Sequence, residues 1–197
     1  MTEIPWRIAI ERALTVHHGA PPSRWLQLAT VAADGWPSVR TVVFRGFLGD
    51  GPILRFTTDL RSAKVAQIDR DSRAEACWMF TETREQFRLA GHLRLIGPDE
   101  ADPPLVAERS EVWTALPPAT RISLLWPEPG APRADLRRFK VGTPDPHEPP
   151  PSFALLLLDP ERVDHLDLRA EPHSRVQYQR LGGADEPIEW ASLAVNP

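Results

Sequence analysis

Three stretches of the chain carry side chains whose types and spacing suit recognition of a phosphorylated, planar ligand. The first is Arg40-Thr41-Val42-Val43-Phe44-Arg45, a β-branched and aromatic run with a guanidinium at each end. The second is Phe56-Thr57-Thr58-Asp59-Leu60-Arg61-Ser62-Ala63-Lys64, and the third is Glu85-Gln86-Phe87-Arg88-Leu89-Ala90-Gly91. A phosphate needs guanidinium or ammonium groups and hydroxyl donors, best placed where a helix begins and its N–H groups point outward. Thr57, Thr58, Arg61, Ser62 and Lys64 gather such groups around a strand-to-helix junction. A planar ring needs an apolar wall with backbone groups along its edge, and its polar end needs an amide or a charge. The strand from Arg40 to Arg45 offers the backbone, and Gln86 on a later strand offers the amide. A flavin nucleotide makes these three demands together.

Each piece also has a plain structural reading. Arg40 and Arg45 alone would pass for solvent-facing strand residues, Arg61 and Lys64 for an exposed helix face, and Gln86 for an outward strand residue. Thr57 and Thr58 are good β-formers in any setting. It is the combination of the pieces that favours a phosphate site. Cys77, between Ala76 and Trp78, reads as a buried, inert thiol. The six histidines (17, 18, 92, 147, 165 and 173) lack metal-ligand spacing, so no metal is expected. Neither a nucleophile elbow nor a glycine-rich nucleotide loop occurs, and no catalytic residue can be named.

The elements that must position these groups follow from patterning. Residues 4–17 predict a short amphipathic helix, with Ile4, Ile8 and Ala9 on its apolar side and Pro5 in the first turn. Strands are expected over 25–32, 39–47 and 53–57, separated by Asp34-Gly35 and Gly49-Asp50-Gly51. Asp59 or Ser62 is positioned to cap a helix running through Ile68. Two strands follow over 74–80 and 86–96, then partly helical chain over 103–125. Eight of the 22 prolines fall between 127 and 151, which predicts a long loop over about 126–151 with a short helix near 134–139. Further strands are expected over 153–158, 162–168, 175–179 and 188–193. Many closely spaced strands with few helices imply a mainly β protein, a barrel with peripheral helices in one domain spanning 1–197.

Composition narrows the function classes. A net charge of −4 argues against a nucleic-acid binder, which needs a concentrated basic surface. No stretch of 18 apolar residues offers a membrane span. One cysteine among 197 residues permits no internal disulfide, and the cytoplasm is the expected compartment. The basic residues are 21 arginines and two lysines, so Lys64 stands out.

The order R-T-V-V-hydrophobic-basic, then hydrophobic-x-T-[NSD]-x-x-S-x-K, then Q-hydrophobic-R-x-x-G resembles the pyridoxamine 5′-phosphate oxidase-related family of FMN-binding split barrels. The spacing agrees through roughly residues 25–97, with a looser match at Val163–Leu166, His173-Ser174-Arg175 and Trp190. The resemblance implies an antiparallel Greek-key split barrel and a homodimer with flavin at the subunit interface. It implies FMN contacts from Arg40, Thr41, Val42, Val43, Phe44, Arg45, Thr57, Thr58, Lys64, Gln86 and Arg175. Where the family usually has an arginine before that lysine, this chain has Ala63, and Arg61 is the candidate to compensate. The substrate side departs from true pyridoxamine 5′-phosphate oxidases. Their phosphate-binding tyrosine and arginine fall at about Val112 and Leu116, their Arg-x-His pair becomes Glu171-Pro172-His173, and Trp126-Pro127-Glu128-Pro129-Gly130 replaces a Gln-Ser pair. The expectation is therefore an FMN-dependent oxidoreductase acting on another small molecule. Two alternatives stay open: a non-turning-over flavin binder or sensor, and a split barrel for haem or a deazaflavin.

Overall fold

The computed structural model describes residues 3–182 and 188–197. Eight strands form one antiparallel sheet: β1 (Trp25–Val31), β2 (Pro37–Val43), β3 (Leu54–Asp59), β4 (Arg73–Phe80), β5 (Glu85–Ile96), β6 (Phe153–Asp167), β7 (Ser174–Leu181) and β8 (Glu189–Val195). Four helices accompany them: α1 (Pro5–Val16), α2 (Ala63–Arg70), α3 (Pro103–Ala115) and α4 (Pro118–Ser123). The strand order is β2-β1-β4-β5-β6-β7-β8, with β3 paired to β6 off this path. None of these helices is long and apolar enough to cross a membrane.

The β1–β2 hairpin turns at Asp34-Gly35. Gly35 takes a φ of +87°, which L side chains rarely adopt, and the Asp34 carboxylate accepts the Trp36 N–H at 3.1 Å. Beyond β2 the chain keeps pairing, but with a new partner. Phe44 N donates to the Arg24 carbonyl, Arg45 N donates to the Arg55 carbonyl, and Arg55 N returns a bond to Gly46. This segment joins β2 to β3, and β3 pairs along Leu54–Asp59 with Leu158–Phe153 of β6. The strands β2-β1-β4-β5-β6-β3 thus curl into a barrel that is joined between β2 and β3 only through the Arg45–Gly46 bonds to Arg55, without a ladder between those two strands.

β6 is one 15-residue strand where two were expected. It serves both the barrel and the extension. Its first half pairs β3 on one edge and its second half pairs β7 on the same edge, while β5 runs along the other edge throughout. The pairing slips at Ala90/Gly91, opposite Pro160, where β6 cannot donate a ladder bond. A Cβ on Gly91 would collide with the Asp159 carbonyl, so only glycine admits this close approach.

The barrel interior holds Leu26, Leu28, Phe44, Phe56, Trp78, Phe87 and Leu158, stacked from opposing strands. α1 plugs one end with Trp6, Ile10 and Ala13, each fully buried. The predicted apolar face is thus rotated, because Ile8 is 46% exposed and Trp6 takes the inward position. Leu105, Val112, Trp113 and Leu116 of α3 and its C-terminal cap cover the other side of β6, against Phe153, Leu155 and Leu157. The proline-rich stretch contains only a short 3-10 turn, Leu136–Phe139.

Candidate functional site

The junction between β3 and α2 gathers most of the predicted phosphate ligands. Alternation along β3 turns Thr58 inward at the barrel's end and Thr57 outward, toward the side where Arg55 meets Glu108 of α3. The Thr57 side chain therefore does not join Thr58. Ser62 stands at the N-cap position of α2, but its hydroxyl donates to the Asp59 carbonyl at 2.7 Å rather than capping the helix. Lys64, in the first turn, donates to Thr58 Oγ1 at 2.9 Å and Ser62 Oγ at 2.8 Å.

Arg40 reaches the same end from β2. Its guanidinium donates to Leu28 O at 3.1 Å, Thr30 Oγ1 at 2.6 Å, Ser38 Oγ at 2.7 Å and Gln67 Oε1 at 3.0 Å. All four acceptors are neutral. Burial pushes the pKa of both cations down, and for Lys64 repulsion from Arg40 adds to it. Among the described residues neither forms an ion pair with a carboxylate, and only for Lys64 does a nearby carboxylate, Asp59, offset part of the desolvation.

Arg61 is placed otherwise than expected. Its Nε and Nη2 grip the Asp59 carboxylate at 2.9 and 2.6 Å, and Nη2 also reaches the Trp126 carbonyl at 3.0 Å. In this arrangement the Arg61 guanidinium is engaged by Asp59 and the Trp126 carbonyl rather than by the Thr58, Ser62 and Lys64 cluster.

The run from Arg40 to Arg45 divides by face. Val42 and Phe44 point into the core, Phe44 packing on Trp78 at 4.8 Å, so only their backbone is available to a ligand. Thr41 and Val43 face outward. Arg45 is the unusual member. Its guanidinium donates no hydrogen bond within the described residues, its Nε is buried without a partner, and burial followed by repulsion from Arg24 pushes its pKa down. Sequence reasoning weighed Arg45 but gave Arg24 no role; one arginine before a strand carries no signal of its own.

Gln86 and Arg175 lie elsewhere, on the outer face of the sheet. They occupy one rung, Met79–Gln86–Leu166–Arg175. The next but one is Thr41–Gln27–Cys77–Arg88–Asp164–Gln177, which crosses from β2 to β7. Arg175 makes a two-pronged bond to Asp164, Nε to Oδ1 at 3.0 Å and Nη2 to Oδ2 at 2.7 Å. Burial opposes ionisation of Asp164, yet the bonds from Arg175 and Gln177 hold its pKa below the usual carboxylate value. A cleft of about 410 Å³ opens here, lined by Arg88, Arg162, Asp164, Arg175 and Tyr178 among others.

Behind that rung lies a charged cluster which the sequence did not disclose. Glu85 is fully buried and accepts from Arg12 at 2.7 Å, and it lies 3.1 Å from His165 Nε2. His165 stacks flat on Phe87 at 4.1 Å, and burial holds its pKa below the ordinary imidazole value despite Glu85. Cys77, expected to be buried, is only partly so, on the outer face of the sheet, and burial of that part pushes its thiol pKa up. The two positions matching the family's substrate-phosphate ligands, Val112 and Leu116, are only 6% and 3% exposed and belong to the core under α3.

An antiparallel barrel with a cationic, hydroxyl-lined strand–helix junction defines a class of nucleotide-binding split barrels, and comparison with known proteins gives the family. A profile of the pyridoxamine 5′-phosphate oxidase FMN-binding domain matches residues 3–97. Pyridoxine/pyridoxamine 5′-phosphate oxidase 2 of Arabidopsis thaliana is 34% identical over 194 residues, covering 98% of this chain and 97% of its own. A pyridoxamine 5′-phosphate oxidase-related, FMN-binding protein of Nostoc punctiforme is 49% identical over the whole of both chains, with a TM-score of 0.92. PhzG of Burkholderia lata, solved with tetrahydrophenazine-1-carboxylic acid, shares the fold at 20% identity and a TM-score of 0.76, over all of this chain and 94% of its own. The chain belongs to the pyridoxamine 5′-phosphate oxidase-related family of FMN-binding split barrels.

Proposed function

We propose that the protein binds FMN and acts as an FMN-dependent oxidoreductase on a small molecule, as a homodimer with the flavin between subunits. The observation that carries this reading is the pair Arg40 and Lys64, two desolvated cations beside the Thr58 and Ser62 hydroxyls, neither of them ion-paired to a carboxylate among the described residues. A phosphate dianion fits that donor set in charge and in hydrogen-bonding capacity. Flavin, when bound, supplies the hydride or electron chemistry. The residues of this chain hold and orient it: Arg40, Thr58, Ser62 and Lys64 at the phosphate, the Val42–Arg45 backbone along the ring, and Gln86 and Arg175 at its polar end. Arg45, its guanidinium unpartnered, suits either an anionic edge of the ring or an acidic group on the substrate.

The separation of these groups supports the dimer. Thr58 pairs with Ala154 and Arg175 with Leu166, so the two halves are about 40 Å of strand contour apart on β6, at ~3.3 Å per residue. A second copy, laid on the outer face, brings its Gln86 and Arg175 to the phosphate end of the first. Trp25, Val39 and Met79, exposed by 49%, 61% and 40% on that face, form apolar surface for it to cover.

Flavin titration tests the reading. Arg40→Ala and Lys64→Ala should each weaken FMN by roughly 10- to 100-fold, the worth of a charge-assisted bond. Unchanged affinity in both would overturn the site. The name of the Arabidopsis relative brings a second reading, oxidation of pyridoxine or pyridoxamine 5′-phosphate. The burial of Val112 and Leu116 and the presence of Glu171, which would repel a phosphate, speak against it. Anaerobic mixing of the flavin-loaded protein with pyridoxine 5′-phosphate decides between them: bleaching of the flavin would establish the second reading, and unchanged colour would exclude it.

A further inference from the structure

The proline-rich segment leaves α4 at Ser123 and rejoins the sheet at Phe153, and both of its ends are fastened to one turn, residues 59–61. At the leading end, Arg61 Nη2 donates to the Trp126 carbonyl at 3.0 Å and the Leu124 carbonyl at 3.3 Å. At the trailing end, Leu60 N donates to the Ser152 carbonyl at 2.8 Å, and Ser152 Oγ reaches back to Leu124 O at 3.4 Å. Asp59 connects this fastening to the candidate anion site. Its carboxylate takes the Arg61 backbone N–H and guanidinium, while its carbonyl takes the Ser62 hydroxyl, which in turn accepts from Lys64. Asp59 thus holds Arg61, and through it the loop, with its side chain, and an anion-site hydroxyl with its backbone. The held end of the loop presents Trp126, 41% exposed, edge-on to Phe139 at 5.7 Å, with Arg133 4.5 Å from the Phe139 ring.

We propose that Arg61 is a positioning residue, tying the proline-rich loop to the anion-binding turn so that Trp126, packed edge-on against Phe139, forms a wall of the ligand site. The ligand-free half of this statement stands on the hydrogen bonds alone; the wall rests on the FMN reading above. Arg61 carries two connections at once, to a carboxylate of its own turn and to carbonyls more than sixty residues away. A bonded guanidinium at that point fixes the loop's first residues at little conformational cost, because the prolines that follow have little backbone freedom to lose. Anything that stiffens the turn, such as an anion engaging Ser62 and Lys64, should also lower the rate at which the loop opens.

Limited trypsin digestion tests this, because the loop carries four exposed cleavage residues, Arg133, Arg137, Arg138 and Lys140. Arg61→Ala would leave the buried Asp59 carboxylate unpaired, so the double variant Asp59→Asn/Arg61→Ala is digested beside it, with melting temperature followed for all. Without ligand, both variants should be cut within 126–151 about tenfold faster than wild type, the loss of a charge-assisted bond to an opening equilibrium. Arg61→Lys, which keeps the charge and part of the reach, should recover part of the protection. Loop cleavage at the wild-type rate in both variants would overturn the tie. Added FMN should slow loop cleavage in wild type and leave it unchanged in Arg61→Ala. If FMN protects both proteins equally, Arg61 does not hold a wall of the site. If FMN protects neither and Lys64→Ala does not alter its binding, the flavin reading fails, while the ligand-free digestion still decides the tie.

Discussion

Gln86 and Arg175 stand on one rung of the sheet, on either side of Leu166, at the opposite end of β6 from the strand end where Thr58 meets Ala154. Under the proposed FMN reading these are two half-sites, completed across a dimer. Mixed dimers make this testable. Lys64→Ala and Arg175→Ala homodimers should each bind FMN poorly, while a dimer of one variant chain with the other contains one unaltered composite site. Such mixed dimers should take up about one flavin per dimer at near wild-type affinity, read by absorbance after subunit exchange. No recovery on mixing would show that each chain builds its own site.

The depressed pKa of Lys64, caused first by burial and then by Arg40, has a consequence at alkaline pH. The ammonium form holds phosphate, so FMN affinity should begin to fall at a pH below that at which an ordinary lysine, near 10.5, loses its proton. Arg does not titrate in this range, so Lys64→Arg should flatten the alkaline limb of a plot of affinity against pH. An unchanged limb in that variant would assign the titration to another group.

Glu85 and His165 give a second pH dependence, this time of stability. Arg12, Asp167 and Arg169 face the same cluster. The folded protein lowers the pKa of His165, so the unfolded chain takes up a proton first as the pH falls. Stability should be full above the ordinary imidazole value of about 6.5 and decline as the pH drops through it toward the folded value. His165→Asn should remove that slope in urea titrations run across this range. Glu85→Gln, which breaks a cluster with one exposed arginine and one buried imidazole, should cost about 2–3 kcal/mol at neutral pH, between exposed and buried pairs.

Gly91 offers a purely steric test. Its Cβ would fall on the Asp159 carbonyl, an atom fixed within β6 at the register slip. Gly91→Ala should therefore destabilise by roughly 3 kcal/mol, the upper range for overpacking, because backbone rather than a flexible side chain must yield. Gly142, with nothing near its Cβ, should tolerate alanine and serves as the control in the same thermal melts.

How much of this was legible in the chain depends on range. Local patterning located β1 to β5, α2 and the strand–turn–helix junction, since alternation, Asp34-Gly35 and the 58–64 run act over a few residues. The single long β6 was not legible, because Pro160 reads as a break until its register slip against Gly91 is seen. The apolar face of α1 was misjudged because Trp6, fully buried, outweighs Ile8 once a barrel end is there to fill. Motif order pointed to Arg40, Thr58, Ser62 and Lys64, which the fold places near one another at one end of the barrel. The role of Arg61 depends on Trp126, the pairing of Glu85 on Arg12 and His165, and no spacing rule reaches across such distances in sequence.

FMN binding at the Arg40–Lys64 junction of a dimer can be read from a single chromatogram. The purified protein is mixed with FMN, passed through gel filtration, and its visible spectrum recorded across the eluting peak. The account predicts flavin absorbance that co-elutes with protein at dimer size, and that is lost in Lys64→Ala. A colourless peak for the wild-type protein, or a yellow one equally intense in Lys64→Ala, would contradict it.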